Sequence, residues 1–235
     1  MRYLLLTAAV VTVAMCAVSA ETLDGKKIHL VAGDTMSVDV PITLPCDATC
    51  DGIPTVVEPK TGKTMPATLR NGELVFVCEG ALPKTEHDYV VKVVPKDANY
   101  APKVRIEKRG AEDILDVFIE DKLFTAYNYA NTWKKPFMWP VNTVNGTCVT
   151  RDWPMKDKLD FVGIPEDEQK RLSKDALDHI HHKSLWISHG DINGVDCWGE
   201  GEGSGFQVSG EVTSGSGDAY GWVHAKNVWE DAEHK

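Results

Sequence analysis

Met36-Ser37-Val38-Asp39-Val40-Pro41-Ile42-Thr43-Leu44 puts an apolar residue at every even position and a polar residue or proline at every odd one. A period of two belongs to a strand with one buried face; a helix would repeat every three to four residues. Pro41 and Pro45 carry no N–H for a ladder, so this strand is expected at a sheet edge or with its pairing ended early. Downstream, Asn71-Gly72 reads as a hairpin turn before the apolar run 74–77. Two further short strands are expected at 89–94 and 103–107, with Pro83, Pro95 and Pro102 punctuating the links. Residues 21–110 therefore read as a small β-sandwich-like domain in which nothing gathers catalytic side chains.

Past Gly110 the composition changes but the β character persists. Strands are expected at 114–120, 123–127, 147–150, 184–188, 206–213 and 219–225. From the end of the second strand onward come Tyr127, Tyr129, Trp133, Phe137 and Trp139. Such rings ordinarily fill a core; beside Asn128, Asn131, Lys134 and Lys135 they also suit a rim on which sugar C–H faces stack. One polar helix is expected over 165–177, with Pro165 in its first turn, Glu166, Asp167 and Glu168 at its positive end, and Lys170, Arg171 and Lys174 later. Residues 111–235 thus form a second β-rich, sandwich-like region, and the chain as a whole is mostly β.

Residues 1–20 run from Arg2 through an apolar stretch to Val18-Ser19-Ala20, the pattern of a secretory signal peptide. Export to the periplasm or the extracellular space is expected; Cys16 raises a lipoprotein alternative, which Met15 disfavours because a small residue belongs before a lipidated cysteine. No later apolar run is long enough to span a bilayer. Without Arg2 the balance is 24 basic to 35 acidic residues, and no basic stripe is present, which makes the chain a poor candidate for nucleic acid or anionic lipid, and no nucleic-acid partner is expected. Neutral small molecules such as sugars are compatible with it. Cys46, Cys50, Cys78, Cys148 and Cys197 match no standard zinc spacing. Cys46 and Cys50 are near enough in sequence to close a small disulfide loop, with Cys78 as a competitor for either.

The chemistry concentrates in residues 178–198, DHIHHKSLWISHGDINGVDCW, which hold four of the eight histidines. Imidazoles and carboxylates are poor core material unless they bond to one another, a metal or a ligand. Two chemistries fit. In the first, His179, His182 and His189 bind a divalent metal, zinc or copper by ligand type, with Asp178 or Asp191 as a further ligand or as an orienting carboxylate. In the second, Asp178–His179 and His189–Asp191 act as acid–base pairs without a metal, with Glu200 and Glu202 as available carboxylates. A purely structural polar network is the bland alternative.

Asn142-Thr143, Gly146, Val149-Thr150-Arg151, Pro154, then 178–186 and 189–196 resemble the PmoA-like family, secreted bacterial proteins that carry the name "methane oxygenase PmoA". Membrane methane oxidation is not implied, because it requires several spanning helices. The resemblance does imply a galactose-mutarotase-like sandwich for the second region and a place near sugar processing. Family chains run on beyond the point where this one stops, so it also implies a second region shortened at its C-terminal end. To the site it adds Thr150 and Arg151 beside Asp178, His179, His182, His189, Asp191 and Asn193. The leading expectation is an exported carbohydrate-active or carbohydrate-binding protein. In it His179, His182, His189 and Asp191 handle protons, while Thr150, Arg151, Asp178 and Asn193 hold the ligand. The alternatives are a copper-, iron- or zinc-dependent oxidoreductase or hydrolase, and a non-catalytic extracellular binding module.

Overall fold

The computed structural model describes residues 22–35, 38–78, 80, 83–156, 165–176 and 179–235. The expected signal peptide, Met36 and Asp178 lie outside these residues. The chain divides into two compact units: the first runs to Pro102 and takes in Gly217–Tyr220, and the second holds Lys103–Ser216 and Gly221–Lys235.

The first unit is built from β1 (Lys27–Val31), β2 (Val40–Pro45), β3 (Ile53–Val57), β4 (Thr64–Arg70), β5 (Glu73–Cys78) and β6 (Glu86–Val94). These form one six-stranded sheet in the order β1-β6-β3-β4-β5-β2, with every neighbouring pair antiparallel. Two stacked sheets were expected here. Instead all six strands send their alternate residues into a single cluster: Ile28 and Leu30, Ile42 and Leu44, Val56, Met65 and Ala67, Leu74 and Phe76, Tyr89 and Val91. A sheet with one apolar face and no second layer of its own buries that face by coiling about it, and the result is a half-barrel.

β2 lies on the edge, where its prolines are tolerated. It starts at Val40 rather than at residue 36, because Asp39 has φ +50°, outside the strand region, and Val38 points to solvent. Asn71 and Gly72 both have positive φ (51° and 76°), as a two-residue hairpin turn between β4 and β5 demands. The described cysteines are all free thiols. Cys46 and Cys50 do not close a loop: the Cys50 thiol faces the Gly52 carbonyl at 3.6 Å, the Lys26 ammonium faces Cys46 at 3.5 Å, and Cys78 meets the Tyr89 hydroxyl at 3.5 Å.

The second unit contains β7 (Val104–Lys108), β8 (Ile114–Ile119), β9 (Lys122–Asn128), β10 (Phe137–Val141), α1 (Glu166–Ala176), β11 (Phe206–Gly215) and β12 (Trp222–Glu230). β7 to β10 form an antiparallel meander, and β11 pairs with β12 as a separate ribbon. β7, expected in the first region, thus pairs with β8 in the second. The strands expected at 147–150 and 184–188 are absent as strands; each contributes one isolated bridge, Cys148 to Asn142 and Leu185 to Met138. β12 begins at Trp222, three residues later than expected.

Every buried polar or charged side chain among the described residues belongs to this second unit: Thr125, Asn128, Lys135, Lys183, Ser204 and Gln207. Its fully buried apolar residues are Leu115, Ala126, Tyr127, Phe137 and Cys197. A core in which polar groups match apolar ones in number needs internal partners for them, and those partners lie along the irregular stretch from 179 to 205.

Candidate functional site

Residues 179–205 form a long connection without regular strands, and side chains from elsewhere in the unit hold it. Lys134 donates from Nζ to the Gly201 and Ser204 carbonyls (3.1 and 2.8 Å). Lys135 donates to the Trp198 carbonyl and, at 3.4 Å, to that of Cys197. Gln207 in β11 donates from Nε2 to the Ile187 carbonyl at 2.7 Å. Backbone groups that would otherwise need a sheet ladder are thereby satisfied one at a time. Gly205 is required where the connection meets β12, since a Cβ there would lie 2.5 Å from the Glu230 carbonyl oxygen and 2.8 Å from Cys197 Sγ.

This stapling gathers five rings. His179, His181 and His182 lie with centroids 4.4–5.6 Å apart, His179 stacked on His182 and His181 edge-on to both. The φ of +47° at His179 turns the chain so that residues 179–182 fold back, and the His182 N–H donates to the His179 carbonyl (2.9 Å). Trp186 and Trp198 meet edge-to-face at 4.6 Å, and both lie 5.9–6.4 Å from His181 and His182. Trp198 remains 45% exposed. Burial, with His182 and Lys135 nearby, holds the His181 imidazole below its ordinary value, so it is a neutral donor–acceptor at pH 7.

Lys135, Lys183 and Glu200 form a buried ionic cluster in the same unit. Both lysines are 1% exposed and the carboxylate is 10% exposed. Lys183 pairs closely with Glu200 Oε2 and donates to the Ile180 carbonyl at 3.1 Å. Lys135 Nζ is 3.7 Å from Glu200 Oε1, an oxygen that is buried without a hydrogen-bond partner among the described residues. Each ammonium also lies on an indole, Lys135 4.6 Å from the Trp186 centroid and Lys183 5.4 Å from that of Trp133. Lys135 therefore ties the ionic cluster to the ring cluster.

Burial lowers both lysines, and Lys135 falls from 10.5 to about 8. Between those values the unfolded chain holds a proton that the folded chain has released, so stability rises with pH across the window; below about 8 the full penalty remains. One group contributes at most about 1.4 kcal/mol per pH unit. In urea unfolding from pH 8 to pH 10.5, the wild type is expected to gain on Lys135→Met. A gap between the two that stays constant with pH would show that Lys135 is not depressed.

Other expected site residues lie in a different arrangement. Ile192 and Val195 bond each other's backbone (2.9 and 3.0 Å) across Asn193-Gly194, whose φ values of +54° and +85° make a tight hairpin turn. Asp191 Oδ1 accepts from the Gly194 N–H at 2.8 Å, and the Asp191 N–H donates to His189 Nδ1 at 3.1 Å. His189, Asp191 and Asn193 are thus engaged in building an exposed turn, where an aspartate and an asparagine are favoured for conformational reasons alone. Thr150 accepts from the Ser184 hydroxyl at 2.7 Å, and Arg151 is half-buried. Asp196 likewise caps the loop, accepting from the Trp198 and Gly199 N–H groups (2.8 and 3.1 Å), which lower its carboxyl below the usual range. No group of three or more His, Cys, Asp or Glu side chains is arranged to hold a metal ion among the described residues, the set His179, His182 and His189 included.

Residues 115–235, more than half of the chain, match a family of unknown function, DUF6807. The chain belongs to DUF6807. No curated protein and no solved structure matches it. The DUF6807 match begins within β8 and takes in all five rings, both buried lysines and Glu200. No helix among the described DUF6807 residues, or elsewhere in the described chain, is long and apolar enough to cross a membrane.

Proposed function

We propose that this DUF6807 member is an exported carbohydrate-binding or carbohydrate-active protein that takes a neutral sugar at the five-ring cluster. The observation that carries this reading is Trp198: a half-open indole, braced edge-on by Trp186 and bordered by the His181 and His182 imidazoles. An indole face receives the C–H side of a sugar ring, and the imidazole nitrogens beside it offer hydrogen-bonding partners to the hydroxyls. The charges nearby are already engaged, the lysines with carbonyls and Glu200, and Asp196 with two amides. That leaves hydroxyl recognition as the task of the rings. The same reading places the second unit among the galactose-mutarotase-like architectures that the PmoA-like resemblance implies. In turnover, His181 and His182 are the groups placed to move a proton.

The test is a titration of tryptophan fluorescence with a panel of neutral mono- and oligosaccharides, followed by calorimetry on any that bind. Trp198→Ala is expected to weaken binding about tenfold, the size of a lost aromatic stacking contact. Release of new reducing ends or a change of anomer in the same samples separates an enzyme from a binding module. A panel without saturable binding, or binding that Trp198→Ala leaves unchanged, would sink the proposal.

A further inference from the structure

The first unit contains a hydroxyl–imidazole–carboxylate chain that the ring cluster does not use. Thr85 Oγ1 lies 2.8 Å from His87 Nε2, and His87 Nδ1 lies 3.4 Å from Glu58 Oε1. All three side chains are partly open to solvent, His87 at 22% and Glu58 at 19%. Each is pinned from its own backbone. Thr85 leads into β6, and its carbonyl accepts from the Ala32 N–H at 2.9 Å. His87 lies within β6 opposite Leu30, its ring parallel to that of Tyr89. Glu58 begins the β3–β4 turn, where its N–H donates to the Lys63 carbonyl and its Oε2 accepts from the Thr61 hydroxyl at 2.6 Å.

We propose that Thr85, His87 and Glu58 form a nucleophilic acyl-transfer site that accepts small uncharged carboxylic esters. The carboxylate decides the proton arrangement. Hydrogen bonds from Thr61 and His87 hold Glu58 below the usual carboxyl range, so it is ionised at neutral pH and acts only as an acceptor. A neutral His87 must then carry its proton on Nδ1, facing Glu58. Nε2 is left as a lone pair, and the Thr85 hydroxyl is the donor to it. A nucleophile aimed at a base that a third group orients is the working order of hydroxyl hydrolases. In the forward step Thr85 Oγ bonds to the ester carbonyl carbon while its proton passes to Nε2. The imidazolium is stabilised by Glu58 and returns that proton to the leaving alkoxide as the ester C–O bond breaks. Water then repeats the cycle on the acyl-threonine, releasing the acid and regenerating the hydroxyl. The methyl group on the Thr85 Cβ crowds the attack, which restricts the site to small acyl groups.

The probe is p-nitrophenyl acetate with the full chain, followed by peptide mapping. Expected are a burst of p-nitrophenolate and an acetyl group mapped to Thr85 in the unaltered protein. His87→Gln should slow the burst about a hundredfold, as loss of a general base does, and Thr85→Ala should abolish it. Thr85→Ser should match or exceed the wild-type burst, because it keeps the hydroxyl and removes the crowding methyl; a merely structural threonine has no reason to show this. Acetyl found on lysines or histidines alone, or a burst unchanged in Thr85→Ala, overturns the assignment. The mapping on unaltered protein decides the matter even if a variant fails to fold.

Discussion

Glu200→Ala is expected to destabilise the protein by about 3–5 kcal/mol, because it strands two buried ammonium groups without the carboxylate that faces both. The cost comes from desolvation rather than from the lost attraction alone. Lys183 is 1% exposed, and among the described residues the substitution leaves it the Ile180 carbonyl and the Trp133 face. This origin makes a second outcome specific. The double substitution Lys183→Met/Glu200→Leu, which removes the closest pair together, is expected to recover most of the loss, since well-packed apolar replacements of a buried pair are often neutral. Urea midpoints for the single and double variants measure both effects. A single variant within about 1 kcal/mol of wild type would mean that water reaches the cluster and that the lysines are not confined as described.

The second large effect lies in the half-barrel. Phe76 is wholly buried, faces Tyr89 edge-on at 5.8 Å, and sits on β5 between β4 and β2 in the sheet. Phe76→Ala should cost about 3–5 kcal/mol through lost transfer energy and the cavity left behind. Phe76→Leu, which keeps much of the volume, should cost far less. If both variants cost the same small amount, the sheet does not close around this ring, and the six strands pack differently from the arrangement described.

Much of the first unit could be read from local pattern. Ile42 and Leu44 face inward as their alternation requires, and Asn71-Gly72 makes its turn because both residues tolerate positive φ. The same alternation misled upstream, since Val38 has the right residue type but lies beyond the break at Asp39. Helix α1 matched its polar, dipole-compatible sequence to within two residues.

The site was harder to read for physical reasons. The histidine run marked its location, and His179 and His182 do come together, with His181 beside both and two tryptophans beside His182, while His189 bonds within the turn at Asp191. Residues 184–188 have an apolar pattern that suits a strand, whereas they make a single bridge and Leu185 and Ile187 are exposed. Lysines are among the residues least often buried, so nothing local distinguishes Lys135 and Lys183 from surface lysines. Their carboxylate, Glu200, is distant in sequence from Lys135, and only the fold brings the two within 3.7 Å. A sequence cue did exist, in that both lysines adjoin runs of rings, Trp133 to Phe137 and His179 to Trp186.

β2 also bears on how copies of this protein treat one another. At the end of a six-stranded sheet, a strand's outward N–H groups are a template on which a neighbouring molecule can extend the ladder and begin a fibre. In β2 the residues whose N–H groups point away from β5 are 41, 43 and 45, since a proline can occupy only that row, and two of the three are proline. A visiting strand would find one donor, at Thr43, where it needs three. The prolines that shorten β2 therefore also act as a guard against polymer growth from this edge, which matters most for a chain held at high local concentration before it is fully folded.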